Sequence, residues 1–382
     1  MKIAHVNMFY YPTFGGVEQV MQELAERQVK EGHEVHVFCC DSDKNARIKE
    51  KHELHNGVHI HRSRYWFRLS MSTFIWPGLF LQLPKYSFDV IHSHVSGHAY
   101  VLISGLIARL KRSRHIHTTH CPWTDKYRSW MLTPFLLLNN IIFNRVAFAL
   151  TDKIIAITPW EVPALEKWAD KKKIQVIPNG MDKIFFKKIK PNTFKKKYNL
   201  KGKLALYFGR LNVTKGPDKF VLAAKEILKE RKDVSFVIRG PDEGMRETVK
   251  QLIGNEKNIL LLDATRDKKE IVSMYQAADV YVLPSYREGL PLTIFEAFAS
   301  GLPVIASPVN GVPYEMKDKI NGFFVGYGDI NNLKEKIMLI LNNKGLAKKI
   351  SLNNIKHAKN YSWDLIYKRY MKVYNETLAN NI

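Results

Sequence analysis

Cysteine is scarce in this 382-residue sequence: Cys39, Cys40 and Cys121 are the only three. They form no Cys-x-x-Cys pair and no metal-spaced set, which argues against a disulfide scaffold or a structural zinc and favours a reducing, cytoplasmic setting. No GxGxxG follows a strand-like run and no GxxxxGK[ST] occurs, so dinucleotide oxidoreductase and P-loop NTPase readings lose their support. Clean apolar runs are missing as well. The two richest stretches, residues 65–86 and 130–150, are interrupted by Pro, Arg or Asn before they reach the roughly 20 residues of a bilayer span. They read either as core or interdomain packing or as membrane-surface contact, with aromatic anchors beside basic residues. The opening MKIAHVNMFYYP has one lysine and then a strand-like run that stops at Pro12, unlike a secretory leader.

Acid is the other shortage. Against 59 Lys and Arg stand 36 Asp and Glu, a formal charge of +23. Such an excess points to a polyanionic partner, nucleic acid or an anionic membrane, or to a merely lysine-rich composition. Much of it is local: residues 171–203 contain Asp182 as their only acid and read as a basic linker.

What is present is alternation. KIAHVNMF, then GVEQVMQELAERQVKEG, then EVHVFCC read as strand, helix, strand. Strand-like runs follow at DVIHSH, RHIHTTH, KIIAIT and QVIPNG, with helices expected over 97–110 and 161–168. After the basic stretch the pattern restarts with LALYFGR, SFVIRG, NILLLD, VYVLPS and PVIAS, and helices over 217–231, 245–253, 268–277 and 291–300. Two such series predict an α/β protein of two doubly wound, Rossmann-like domains, 1–180 and 181–360, facing a central cleft. The amphipathic stretch 361–382 is placed to pack back on the first domain.

Chemistry-bearing residues sit where this fold exposes loops. Glu288 and Glu296 lie eight residues apart in PSYREGLPLTIFEAFASGLPV, the first in the loop after a strand, the second inside the following helix. They are either ligand groups or an ordinary turn residue and a helix charge. Gly15 and Gly16, with Glu18 two residues on, open the first helix, where backbone can approach an anion or simply turn tightly. Arg210 and Lys215 in YFGRLNVTKGPDKF follow a strand's carboxyl end and either clamp a diphosphate or stay solvated.

Taken together, GGVE, TTH ending at His120, VIPNGMD, GRLNVTKG and EGLPLTIFE resemble, in order and over nearly the whole chain, the retaining GT-B glycosyltransferases of family 4. The resemblance implies that Glu288 meets the hydroxyls of a donor sugar and Glu296 the ribose, with Gly289, Leu290, Pro291, Leu292 and Thr293 lining the space between. It implies that Arg210 and Lys215 hold the donor diphosphate, that Gly15 and Gly16 serve donor binding, and that His120 stands near the reacting centre with His94 and Glu18 in support. The remaining histidines of HIHTTH and IHSHVSGH read as structural or solvated. No cofactor or metal is implied, because the two cations take the divalent ion's place and no convincing DxD motif occurs. The donor is expected to be a UDP- or GDP-sugar carrying a hexose or N-acetylhexosamine. The acceptor is expected to be a hydroxyl, lipid-linked or on a glycan, at the cytoplasmic face of an anionic membrane. EGLPL stands where the family often has EGFGL, and SPVNGVPYEM has one glycine where a pair is common, which leaves sugar and nucleotide open. Two competing readings are a basic nucleic-acid-binding protein on a Rossmann-like scaffold and a same-fold epimerase or phosphorylase.

Overall fold

The computed structural model describes residues 1–13, 15–43, 46–68, 74–120, 144–189 and 193–379. Cys121 and most of the apolar stretch 130–150 lie outside them. The chain divides into two units, Met1–Asn179 with Asp364–Ile382, and Gly180–Trp363.

Among the described residues the first unit has ten strands: β1 (Lys2–Val6), β2 (Glu34–Cys40), β3 (His52–His55), β4 (Val58–Ser63), β5 (Phe67–Arg68), β6 (Phe74–Ile75), β7 (Val90–His94), β8 (Arg114–Thr118), β9 (Lys153–Ala156) and β10 (Ile174–Val176). Eight form one sheet in the order β10-β9-β8-β7-β1-β2-β4-β3, all parallel except β3, which runs antiparallel to β4 at the edge. A sheet covered by helices on both faces needs near-continuous apolar strands. Accordingly β7 is buried along its whole length. The order reverses beside β1, which pairs with β2 on one side and β7 on the other. That reversal leaves a crevice at the carboxyl ends of β1 and β7.

Helix Gly16–Lys30 covers part of this sheet because Val20, Met21, Leu24, Ala25 and Gln28 recur at helical spacing and are all buried. Helix Trp363–Ala379 presents Ile366, Tyr370, Val373, Tyr374 and Thr377 as a second buried stripe. Its attachment to the first unit is specific: Asp364 pairs with Arg27 at 2.9 Å, the Tyr367 hydroxyl donates to Glu31 at 2.8 Å, and Arg369 donates to the Val176 carbonyl at 2.6 Å. The apolar stretch 65–86 is core only in part. Trp76, Leu79 and Leu83 join the core, whereas Trp66, Phe67, Phe80 and Leu81 face solvent.

The second unit carries β11 (Lys203–Phe208), β12 (Val234–Arg239), β13 (Ile259–Leu262), β14 (Val280–Leu283), β15 (Val304–Ala306) and β16 (Gly322–Phe324) in the order β13-β12-β11-β14-β15-β16, all parallel. Its switch point lies between β11 and β14. The loops leaving those two strands carry Arg210 to Gly216 and Pro284 to Glu288, which sets the positively charged stretch directly beside the acidic one. The lysine-rich stretch is not a loose linker. Its Lys195, Lys197 and Lys203 pair with Asp279 and Glu270, and Lys268 reaches back to Asp182, so the charge run is partly neutralised inside the second unit. No described helix is long and apolar enough to cross a membrane.

Candidate active site

The loop after β11 is pinned before any ligand arrives. The Asn212 side chain accepts from the Thr214 N–H at 2.9 Å, and the Tyr207 hydroxyl donates to the Arg210 carbonyl at 2.9 Å. At Gly216 the backbone is left-handed (φ +68°), and a Cβ would come within 2.2 Å of the Pro284 carbonyl oxygen. Only glycine lets this loop lie so close to the β14 loop. The Tyr286 N–H then donates to the Thr214 carbonyl at 2.8 Å, tying the two loops together.

That approach brings Lys215 onto Glu288. The Lys215 ammonium donates to Glu288 Oε2 at 2.6 Å and to the Arg287 carbonyl at 3.3 Å, and the Ser285 hydroxyl donates to Glu288 Oε1 at 2.6 Å. Asn310 holds the Glu288 backbone carbonyl at 2.7 Å. Glu288 is 4% exposed, so its charge is balanced by a cation and a hydroxyl rather than by water. Burial lowers the pKa of Lys215, and Glu288 opposes that shift. A nearby Arg210 charge adds to the lowering.

Arg210 is arranged differently. Its guanidinium is half exposed and bonds both Glu243 oxygens, at 3.0 and 2.9 Å, with Asn212 on the same carboxylate at 3.3 Å. Arg210 and Lys215 therefore share a loop but have separate carboxylate partners. Arg210 commits its Nη1 to Glu243, whereas Lys215 is turned inward onto Glu288.

Glu296 sits in helix Leu292–Ala299, 8% exposed, and accepts from the Tyr275 hydroxyl at 2.9 Å. Burial raises its pKa to about 7, against the Tyr275 hydrogen bond and the Lys268 charge, which both favour the carboxylate. The two glutamates do not share a partner, although Tyr281 feels the charge of both. Between them Leu290 is buried, and the helix begins at Leu292 after Pro291 with no side-chain cap. Its first-turn N–H groups, Thr293 among them, have no intrahelical acceptor by geometry. A polar ligand carrying hydroxyl and phosphate oxygens matches such a row: acceptors at Glu288 and Glu296, and donors from Gly289 onward.

In the first unit, Gly15 precedes helix Gly16–Lys30 in an extended conformation, and Glu18 is buried in its first turn. A Cβ on Gly16 would meet no described atom within 4 Å, so neighbouring packing among the described residues does not demand glycine there. His120 follows β8 with a left-handed backbone (φ +52°), uncommon for a residue with a side chain. His120 Nε2 lies 3.1 Å from His94 Nδ1, so the expected pair is in contact. Burial lowers the His120 pKa to about 3 and that of His94 well below the ordinary histidine value.

The sequence did not single out Ser285, Tyr275, Glu243, Asn310, Gln28 or His5. Only Ser285 carried a local signal, three residues ahead of Glu288; the others arrive from distant strands and helices. Among the described residues His5, His92 and His94 form the one group whose spacing could hold a metal ion. All six of their ring nitrogens are engaged, with Gln28, Tyr374, Thr118, His120 and one another. The set is a closed hydrogen-bond network as it stands.

Comparison with known proteins agrees with this division of the chain. Residues 14–183 match the Glycosyltransferase Family 4 domain and residues 188–357 match Glycosyl transferases group 1. An uncharacterised glycosyltransferase of Methanocaldococcus jannaschii is 25% identical over 97% of both chains. The Escherichia coli UDP-Gal:alpha-D-GlcNAc-diphosphoundecaprenol alpha-1,3-galactosyltransferase is 28% identical, covering 91% of this chain and 89% of its own. Among solved structures, Anabaena HepE in complex with UDP superposes with a TM-score of 0.79 at 18% identity, over 98% of this chain and all of its own, and shares the fold. Two Rossmann-like units of the GT-B type, each matching its own glycosyltransferase domain, place this chain in the group 1 glycosyltransferases.

Proposed function

We propose that the enzyme is a retaining, metal-independent transferase that moves a hexose or N-acetylhexosamine from a UDP- or GDP-sugar to a hydroxyl of a lipid-linked acceptor. The observation that carries this reading is the buried Lys215–Glu288 pair, tied by Ser285, at the switch point of the second unit. Glu288 supplies an acceptor for sugar hydroxyls, and Lys215, joined by Arg210, stabilises the charge that grows on the departing diphosphate. A cation already fixed in place, as Lys215 is, lowers the barrier without reorganising at the moment of reaction. Glu296 takes the ribose. The leaving phosphate oxygen removes the acceptor's proton on the same face of the sugar, which preserves the anomeric configuration without a covalent nucleophile.

UDP is favoured over GDP by two likenesses: HepE has been solved with UDP and with UDP-glucose, and the E. coli relative is named for a UDP-Gal donor. That relative's acceptor, a sugar on diphosphoundecaprenol, supports a lipid-linked acceptor here. No cofactor and no nucleic acid enter the reading. The test is transfer from a panel of UDP- and GDP-sugars in EDTA, with the product's anomer assigned by NMR. Full activity and a retained anomer are expected; a strict divalent requirement or an inverted product would contradict the mechanism.

Membrane attachment at the cytoplasmic face belongs to the same proposal. In the first unit Trp66, Phe67, Phe80, Leu81 and Leu110 are exposed apolar side chains, and Arg109, Lys111 and Arg112 are exposed at the end of helix Ala99–Lys111. Arg114, from the same basic run, is instead turned to Asp152 at 3.0 Å. Each cation near an anionic bilayer contributes about 1 kcal/mol, enough for reversible binding when apolar side chains also insert. The enzyme is expected to pellet with anionic vesicles at low salt. Trp66→Ser with Phe67→Ser, or charge removal at Arg109, Lys111 and Arg112, should release it. Failure of the wild type to pellet would reject the membrane claim and leave the transferase reading standing.

A further inference from the structure

His120 is the outer end of a chain of buried side chains. His120 Nε2 lies 3.1 Å from His94 Nδ1, His94 Nε2 3.0 Å from His5 Nδ1, and His5 Nε2 2.7 Å from Gln28 Oε1. His5, His94 and Gln28 are all fully buried. A neutral imidazole has one donor and one acceptor nitrogen, so fixing the proton on one ring fixes it on the next.

The inner end settles the direction. The Gln28 amide nitrogen faces Met371 Sδ at 3.9 Å. A thioether only accepts, which puts the amide's N–H groups on that side and its oxygen on His5. His5 must then donate from Nε2 and accept at Nδ1. His94 donates to it from Nε2 and accepts at Nδ1, and His120 does the same one ring further out. His120 Nδ1 carries no hydrogen bond among the described residues.

We propose that Gln28, acting through His5 and His94, is a positioning residue that holds His120 as the neutral Nε2–H tautomer and leaves its Nδ1 lone pair as the group offered to a ligand. Burial supports this, since it holds all three imidazoles neutral at physiological pH. His120 then accepts a hydrogen bond from a hydroxyl and has no N–H to give to an oxyanion. The tautomer follows from unit geometry alone; its consequence for transfer rests on the reading of His120 as a donor-site residue.

The test is long-range proton–nitrogen correlation NMR on the full-length protein labelled with [15N]histidine, at neutral pH. His5, His94 and His120 are each expected to show a single neutral Nε2–H form. In Gln28→Leu the single form should be lost at all three rings, and kcat should fall about tenfold, the scale of one neutral hydrogen bond, with donor KM little changed. An Nδ1–H or mixed His120 in the wild type overturns the proposal, and needs no variant to be seen; so do unchanged tautomers in a folded Gln28→Leu. Tautomers that move as expected with kcat unaltered support the chain and instead refute the placement of His120 beside the donor.

Discussion

Glu288→Gln is expected to lower turnover at saturating donor by about a hundredfold or more, the scale of losing one preorganised transition-state contact. Glutamine keeps the side chain's shape and an oxygen for the Ser285 hydroxyl, but removes the charge that faces Lys215 at 2.6 Å. It also leaves a buried ammonium without its counter-charge, and breaking such a pair costs about 3–5 kcal/mol in other proteins. Activity must therefore be compared on protein shown to be folded by calorimetry at the assay temperature. Glu243→Gln is the control. Its partner Arg210 is half exposed, so a similar charge loss there should cost little stability and should not depress turnover comparably. Near wild-type turnover in folded Glu288→Gln would remove this residue from the catalytic reading.

Acid should separate the two units. His5, His92, His94, His115, His117 and His120 all belong to the first unit, and burial is the largest cause of lowered pKa in each, to about 4 for His5 and His115 and about 3 for His120. The unfolded chain takes up protons near pH 6.5 that the folded unit refuses. Stability is thus fully present above about pH 6.5 and is lost as pH falls toward those lower values, at about 1.4 kcal/mol per pH unit for each group. Several such groups make the loss several kcal/mol by about pH 5. Glu296 in the second unit has the opposite sign. Its pKa is raised to about 7 from an ordinary 4.5, so the cost of burying its charge is relieved as pH drops through that window. Urea unfolding followed at pH 8, 7, 6 and 5 should show the first unit's transition moving to lower urea further than the second's, where burial lowers the pKa of His357 but Glu296 acts in the opposite direction. A single transition of constant midpoint across that range would contradict the buried, neutral state of these rings.

The strands and helices that the sequence announced were those with strong apolar patterning. Gly16–Lys30 and Val280–Leu283 appear where Glu/Ala/Leu-rich and β-branched runs predicted them. The β3–β4 hairpin went unread because HELHNGVHIHRS is rich in His and Arg rather than in alternating apolar residues. Its one clear cue was the Asn56-Gly57 pair, whose positive φ angles of 50° and 81° make the tight turn. Helices Ile330–Asn342 and Lys344–Ala358 and strand β16 were also missed, lying beyond the motifs that drew attention. In the candidate site, the positions of Lys215 and Glu288 were legible in sequence, 73 residues apart, but their contact was not. It depends on β11 and β14 being neighbours across the switch point and on Gly216 permitting the loops to touch. Most histidines of HIHTTH and IHSHVSGH were read as structural or solvated; the structure buries His92, His94, His115 and His117 of these, along with His5, His36 and His61, and a linear sequence cannot show that His5, His94 and His120 line up across three strands' ends.

The central claim is that the second unit holds a nucleoside diphosphate without a metal, chiefly through Lys215. Isothermal titration of UDP and of uridine in EDTA, on the wild type, Lys215→Ala and Arg210→Ala, tests it most directly. The wild type should bind UDP, and Lys215→Ala should weaken UDP by about 1.5–3 kcal/mol, the range for a charged hydrogen bond, while uridine changes far less. Arg210→Ala should lose no more than Lys215→Ala, because its guanidinium is half exposed and shared with Glu243. If the wild type does not bind UDP in EDTA, or if Lys215→Ala weakens uridine as much as UDP, the account is wrong.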